Sequence, residues 1–251
     1  MKKIVCIFCN QQKEKSKEHI WPRWLQKEIG HNEKTTYQGV HLSPIYPKSI
    51  RVHSGESLVF GDICKDCNNG WMSTLEADCK PIIIKLINNR NTITALNKIE
   101  REKLSVWAFK TALMINAGSN YRRIIPLLHY SHLYKYQSII KNIKIDIGFL
   151  PERKTLEWRQ SQIGIGLMRP ADKEFFHELL KQSYKITMQI MSIGIRVSYF
   201  PIAKGVHYKI SYKENDKNVR IWPFQKNSQF NINHEYTSLD DFDLDCAIIP
   251  A

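Results

Sequence analysis

The apolar positions change period along the chain. Ile99, Leu104, Trp107, Ala108, Thr111 and Ile115 recur mostly at three- and four-residue steps, which predicts a helix over residues 97–117. Asn97 and Glu100 have the spacing of an N-terminal capping box, and Gly118 suits the C-terminal cap. Trp107 and Met114 are read as core. Trp71, Met72, Leu75, Ala77 and Cys79 predict another helix over about 68–78, with Pro81 as a boundary or a new start. Ile20, Trp21, Trp24 and Leu25 flank Pro22 and suit a strand end or a short helix. Residues 30–57 show little periodicity and read as a long loop with one short strand. Leu58-Val59-Phe60 reads as a strand ending at Gly61.

The second half follows a period of two. Ile143, Ile145, Ile147 and Phe149 alternate with Lys144, Asp146 and Gly148, as in a half-buried strand. Residues 162–168 and 185–200 also favour strands, with a short helix over 171–181 between them. Val206, Tyr208, Ile210 and Tyr212, a polar turn and then Val219 to Trp222 predict a hairpin. The acidic segment 239–246 suits a last short helix. The predicted fold class is α+β: an N-terminal module over 1–90, then a basic domain over 91–251 with helices and a largely antiparallel sheet.

Charge sharpens this division. The chain carries a net +13, with 24 basic against 10 acidic residues over 81–225, and one basic against five acidic over 226–251. A basic middle points to a polyanionic partner, because Lys and Arg displace condensed counterions from nucleic acid. No run of ~18 apolar residues is present to span a membrane, and the start lacks the ~7–15 apolar residues of a secretory signal. A cytoplasmic protein with no membrane partner is expected.

Six cysteines change the picture of the N-terminal module. Cys6/Cys9 and Cys64/Cys67 form two C-x-x-C pairs, whereas Cys79 and Cys246 stand alone and read as buried small residues. Disulfides are disfavoured without secretion, so the pairs read as a metal site. Two tight turns supply four thiolates, and tetrahedral zinc takes four. Such a closed shell leaves no position for water, so the predicted Zn²⁺ is structural. It would clamp two turns far apart in sequence, in a module with little core of its own.

That clamp has a chemical consequence. Glu18-His19 follows the first pair, and Asn68 directly follows the second. Drawing the pairs together brings a carboxylate, an imidazole and an amide carbonyl toward one space. Glu18 and Asn68 offer the oxygens that Mg²⁺ prefers, and His19 can take a proton from water near neutral pH. These are the requirements of metal-assisted phosphodiester hydrolysis.

At this point the sequence resembles a family. Cys6-x2-Cys9, Lys17-Glu18-His19-Ile20-x-Pro22 and Ile63-Cys64-x2-Cys67-Asn68-x-Gly70 are similar to the HNH endonucleases with a four-cysteine zinc knuckle. The likeness covers roughly residues 3–80. It implies a ββα-metal module, with His19 as the general base. It also implies that Glu18 and Asn68 hold a catalytic Mg²⁺ or another divalent cation. Glu18 stands where the family commonly has Asp, and Val59 or a neighbour where it commonly has Asn. The expected function is a metal-dependent endonuclease acting on nucleic acid, DNA ahead of RNA, with a protein partner or a second copy also compatible. The alternative is a zinc-stapled nucleic-acid-binding or partner-interaction protein with a degenerate site. Lys110, Arg122, Arg123, Arg153, Arg159, Arg169 and Arg196 are candidates for a phosphate track, and Tyr134, Tyr136 and Trp158 for stacking on bases.

Overall fold

The computed structural model describes residues 2–30, 36–42, 49–54, 59–118, 123–162, 164–165, 181–201, 208–213 and 216–250. Its strands are β1 (Lys3–Val5), β2 (Gln12–Glu14), β3 (Glu18–His19), β4 (Thr36–Leu42), β5 (Ser49–Ser54), β6 (Val59–Phe60), β7 (Ile143–Ser161), β8 (Gly164–Ile165), β9 (Tyr184–Tyr199), β10 (Tyr208–Tyr212), β11 (Asn218–Trp222) and β12 (Cys246–Pro250). Its helices are α1 (Arg23–Glu28), α2 (Lys65–Cys67), α3 (Ser73–Asn88), α4 (Thr92–Ala95), α5 (Lys98–Gly118), α6 (Leu127–Tyr136) and α7 (Leu239–Leu244). The fold is mixed α+β, and its sheet pairing is mostly antiparallel. Two units form: one from Met1–Thr36 with His53–Lys141, the other from Tyr37–Val52 with Asn142–Ala251.

In the first unit, β1 and β2 form an antiparallel pair, and β3 pairs antiparallel with β6, His19 opposite Val59. The central element is α5. It begins with the predicted reciprocal cap: Asn97 N–H donates to Glu100 Oε2 at 3.0 Å, and Glu100 N–H donates to Asn97 Oδ1 at 3.0 Å. From Leu104 to Ala117 the helix is buried on nearly every side, Trp107 and Met114 included, as a core helix must be. Burial starts only there, so Ile99, counted as core by spacing, is 64 % exposed. Helices α3 and α6 pack on α5. The proline expected to bound α3 lies inside it. Pro81 removes one backbone donor, but Ile82, Ile83 and Leu86 beyond it are buried, and that packing carries the helix to Asn88.

In the second unit, β7 is the organising strand. It pairs antiparallel with β9 along most of its length, antiparallel with β11, and parallel with β4, which β5 extends. The region read as a loop with one short strand over 30–57 thus supplies two strands; β5 pairs with its neighbour β4, and β4 in turn with β7, more than a hundred positions on. Ile143, Ile145, Ile147 and Phe149 are buried as their alternation predicts, but Asp146 on the opposite face is buried too. The hairpin predicted over 206–222 does not form. β10 pairs with β12 and β11 with β7, because each strand finds a longer-range edge instead of its neighbour. The acidic helix ends at Leu244, and Cys246 starts β12. The helix predicted over 171–181 falls outside the described residues up to its last position, and of 162–168 only Gln162 and β8 are described. Among the described residues no helix is long and apolar enough to cross a membrane.

Two measurements probe these packings. Gly148 lies opposite Gly194 in the ladder, and a Cβ on it would stand 2.7 Å from Tyr236 Cε2 and 3.0 Å from Phe242 Cε2. Gly148→Val is therefore expected to cost about 1–3 kcal/mol by overpacking, read as a lowered urea midpoint. His129 is buried in α6 beside Phe109, and burial, with His132 adding to it, pulls its imidazole down to about 4. The unfolded chain then binds a proton that the folded chain refuses. The stability held above about pH 6.5 falls as pH drops toward about 4, and His129→Gln should flatten that slope in denaturant titrations.

Candidate metal centre and adjoining cleft

Each cysteine pair sits on a tight backbone turn. Cys6 N–H donates to the Gln11 carbonyl at 3.0 Å, Asn10 N–H donates to the Cys6 carbonyl at 2.9 Å, and Asn10 takes φ 53°, a conformation Asn tolerates. The second turn runs into α2, where Cys67 N–H points at Cys64 Sγ at 3.4 Å. Backbone bonds join the two turns: Ile7 N–H to the Asp62 carbonyl at 2.9 Å and Ser16 N–H to the Ile63 carbonyl at 2.8 Å. Ion pairs Lys13–Asp66 (2.7 Å) and Lys65–Glu14 (2.6 Å) tie their rims. Phe8 fills the space below, edge-on to Trp71 and Tyr130 at 5.6 and 5.3 Å.

The result is a four-sulfur cluster. The Sγ atoms of Cys6, Cys9, Cys64 and Cys67 all lie within 4.8 Å of one another, with Cys6–Cys67 and Cys9–Cys64 at 3.8 Å. A disulfide needs about 2.05 Å, so none is formed. Four sulfurs at about 2.3 Å from a central ion in tetrahedral array stand about 3.8 Å apart, the separation of the Cys6–Cys67 and Cys9–Cys64 pairs. The chemistry of the set agrees with the geometry. The sulfur–sulfur hydrogen bond with Cys67 holds Cys6 down at about 4, whereas burial pushes Cys9 up to about 11, and the bond with Cys6 pushes Cys67 up. Four thiolates this close repel one another unless a cation lies between them. The cluster can hold a structural metal ion such as zinc, as the cysteine spacing predicts.

Beside it, a cleft of about 440 Å³ is lined by Ser16, Lys17, Glu18, His19, Arg23 and Asn68, with Glu76 at its floor. All three polar residues singled out in the sequence therefore border one space. Strand β3 supplies Glu18 and His19. Asn68 follows Cys67 in a wide helical turn over Asn68–Met72 that breaks at Gly70 before α3 begins. Its amide Nδ2 donates to Ser16 Oγ at 2.6 Å, which leaves Oδ1 as the oxygen of this side chain able to face a cation.

The charges below the cleft were not legible in the sequence. Lys110 of α5 is fully buried, bonded to Glu76 Oε1 at 2.5 Å and 3.9 Å from Glu18 Oε1. It is therefore no part of an exposed phosphate track. Burial pushes Glu18 up to about 7; Lys110 opposes this, Glu76 adds to it, and an Asn68 hydrogen bond opposes it. Two carboxylates, Glu18 and Glu76, meet one buried ammonium, and Arg23 also acts on Glu18 from the rim. Burial, then Arg23, lowers the His19 imidazole below its ordinary value, so it is neutral at pH 7. Lys17 and Arg23 are exposed at the rim. The one hint to Glu76 was its place eight residues after Asn68 in a helical stretch; Lys110 gave none.

Other track candidates are likewise committed elsewhere. Arg196 is wholly buried, Arg159 pairs with Asp240 at 2.5 Å, Arg153 with Glu157 at 3.2 Å, and Arg123 with Asp62 at 3.5 Å. Trp158 is buried, Tyr136 is exposed, and Arg122 and Arg169 fall outside the described residues.

The sulfur cluster yields a direct test. Native mass spectrometry is expected to find one zinc per chain, lost in Cys64→Ser. That variant should also melt the first unit at lower temperature, because structural zinc contributes on the order of 10 kcal/mol to small metal-stapled modules. No family model matches the chain, and comparison with curated proteins and with solved structures gives no match either.

Proposed function

We propose that the protein is a metal-dependent endonuclease of HNH type that hydrolyses phosphodiester bonds in nucleic acid, DNA ahead of RNA. The observation that carries this reading is the cleft shared by Glu18, His19 and Asn68 beside the four-sulfur cluster. In the motif this chain resembles, those three positions belong to the reacting centre of a ββα-metal module.

The residues divide the work. His19, neutral at pH 7, takes a proton from water, and that water attacks phosphorus in line. Arg23 and Lys17 at the rim bind the flanking phosphates and orient the strand. Glu18 and Asn68 present oxygens to a divalent cation such as Mg²⁺, which when bound supplies Lewis-acid stabilisation to the phosphate and the leaving 3′ oxygen. Lys110 and Glu76 act from beneath: their ion pair holds Glu18 at the cleft floor. By resemblance the products carry 5′-phosphate and 3′-hydroxyl ends.

Purified protein with Mg²⁺ or Mn²⁺ is expected to nick plasmid DNA. His19→Ala should lower the rate by about 10²–10⁴, with zinc content and melting temperature unchanged. Equal nicking by both proteins removes His19 from the reaction. Binding without nicking under either metal would leave the zinc-stapled binding module as the function.

A further inference from the structure

A second cleft, of about 190 Å³, lies within the second unit, far from the cysteine motifs in sequence. Its base is Asp146 of β7, which is fully buried. Oδ1 of Asp146 accepts from Arg220 Nε at 3.0 Å. Oδ2 accepts from Tyr212 Oη at 2.8 Å and from Arg196 Nη2 at 3.5 Å. Asp146 thus answers two guanidiniums, Asp245 also acts on Arg196, and the Lys226 ammonium at the rim leaves the cleft positive.

The excess is directed. Arg220 has a side chain only 12 % exposed, and its Nη2 is buried with no hydrogen-bond partner among the described residues. A buried guanidinium N–H without an acceptor is costly, and it is rarely left so in a native fold. Arg220 lines the cleft, and Lys226 lines it from an exposed position, so two cations border the same space. Gln225 and Gln229 add carboxamides to the wall. The Tyr212 ring lies under both guanidiniums, with Arg196 and Arg220 at 5.2 and 5.3 Å from its centroid, which fixes their planes. Burial, and then Arg220, lower the nearby Lys144 ammonium below its ordinary value, with Asp146 opposing them.

We propose that this cleft binds a phosphate group, carried either by a free nucleotide or by a nucleic-acid backbone. The ligand must bring acceptors and negative charge, because Asp146 is already shared among Arg220, Arg196 and Tyr212. A phosphate offers separate oxygens to the Arg220 guanidinium, to the Lys226 ammonium and to a carboxamide N–H, a set a single carboxylate cannot satisfy. The cleft is too small for a whole nucleotide with its base enclosed, so it reads the phosphate and leaves the base outside.

The test is binding, measured by calorimetry on the full chain carrying His19→Ala, without added divalent cation. The probes are inorganic phosphate, a nucleoside 5′-monophosphate and a twelve-nucleotide single strand. Lys226→Ala removes the rim cation, and Arg220→Lys keeps charge but withdraws the guanidinium's planar set of donors. Each is expected to weaken binding by at least about tenfold with the melting temperature held. Should Arg220→Lys melt early, Lys226→Ala alone decides. Response to inorganic phosphate and the monophosphate identifies a terminal phosphate as the ligand; response to the oligonucleotide alone identifies the backbone diester. Absence of binding by all three probes at about 5 mM, or unchanged affinity in Lys226→Ala, overturns the proposal. Because this readout is blind to cleavage, its failure leaves the His19 test of the nuclease reading untouched.

Discussion

The mutual approach of four sulfurs governs the first unit. Cys6 and Cys67 are 61 positions apart, yet their sulfurs stand 3.8 Å from one another. Nothing apolar drives thiolates together; their charges oppose it. What can hold them is a cation at the centre, aided by the backbone bonds and ion pairs that stitch the two turns. Once the turns are fixed, β3 is set against β6, and the chain leaving Cys67 must start its helix beside Glu18 and His19. The cleft is a geometric consequence of the cluster.

Its electrostatics come from a different source. Lys110 projects from the core helix α5, where a lone ammonium would be prohibitive, and it is tolerated only because Glu76 and Glu18 answer it. The same logic recurs in the second unit, where Arg196 and Arg220 are answered by Asp146, and Lys185 by Asp243 at 3.1 Å. Lys110, Arg159, Lys185 and Arg196 therefore lie inside the fold as paired charge. Net charge pointed toward a polyanionic partner; within the two clefts the cations placed to meet one are Lys17 and Arg23 at the first and Lys226 at the second.

The two clefts differ in what they ask of a ligand. The first has oxygen ligands with cations at its rim, which suits a hard cation together with a substrate phosphate held at that rim. The second has donors and a positive balance, which suits an anion alone. Each lies within one unit, so each can be disabled without dismantling the other.

The sequence by itself determined the α+β class, the capping of α5 by Asn97 and Glu100, the burial of the 143–149 alternation, and the four-cysteine cluster. All of these rest on short-range rules: helical or strand period, cap spacing, and the tight turn of C-x-x-C. It also named Glu18, His19 and Asn68, because they adjoin the cysteines that draw them together. Only the tertiary structure decided that Pro81 stays inside a helix, that β10 and β11 part to different neighbours, and that Glu76 and Lys110 underlie the cleft. Those outcomes depend on contacts between residues tens of positions apart, where the gain from packing or ion pairing outweighs local preference and leaves no periodic trace in the chain.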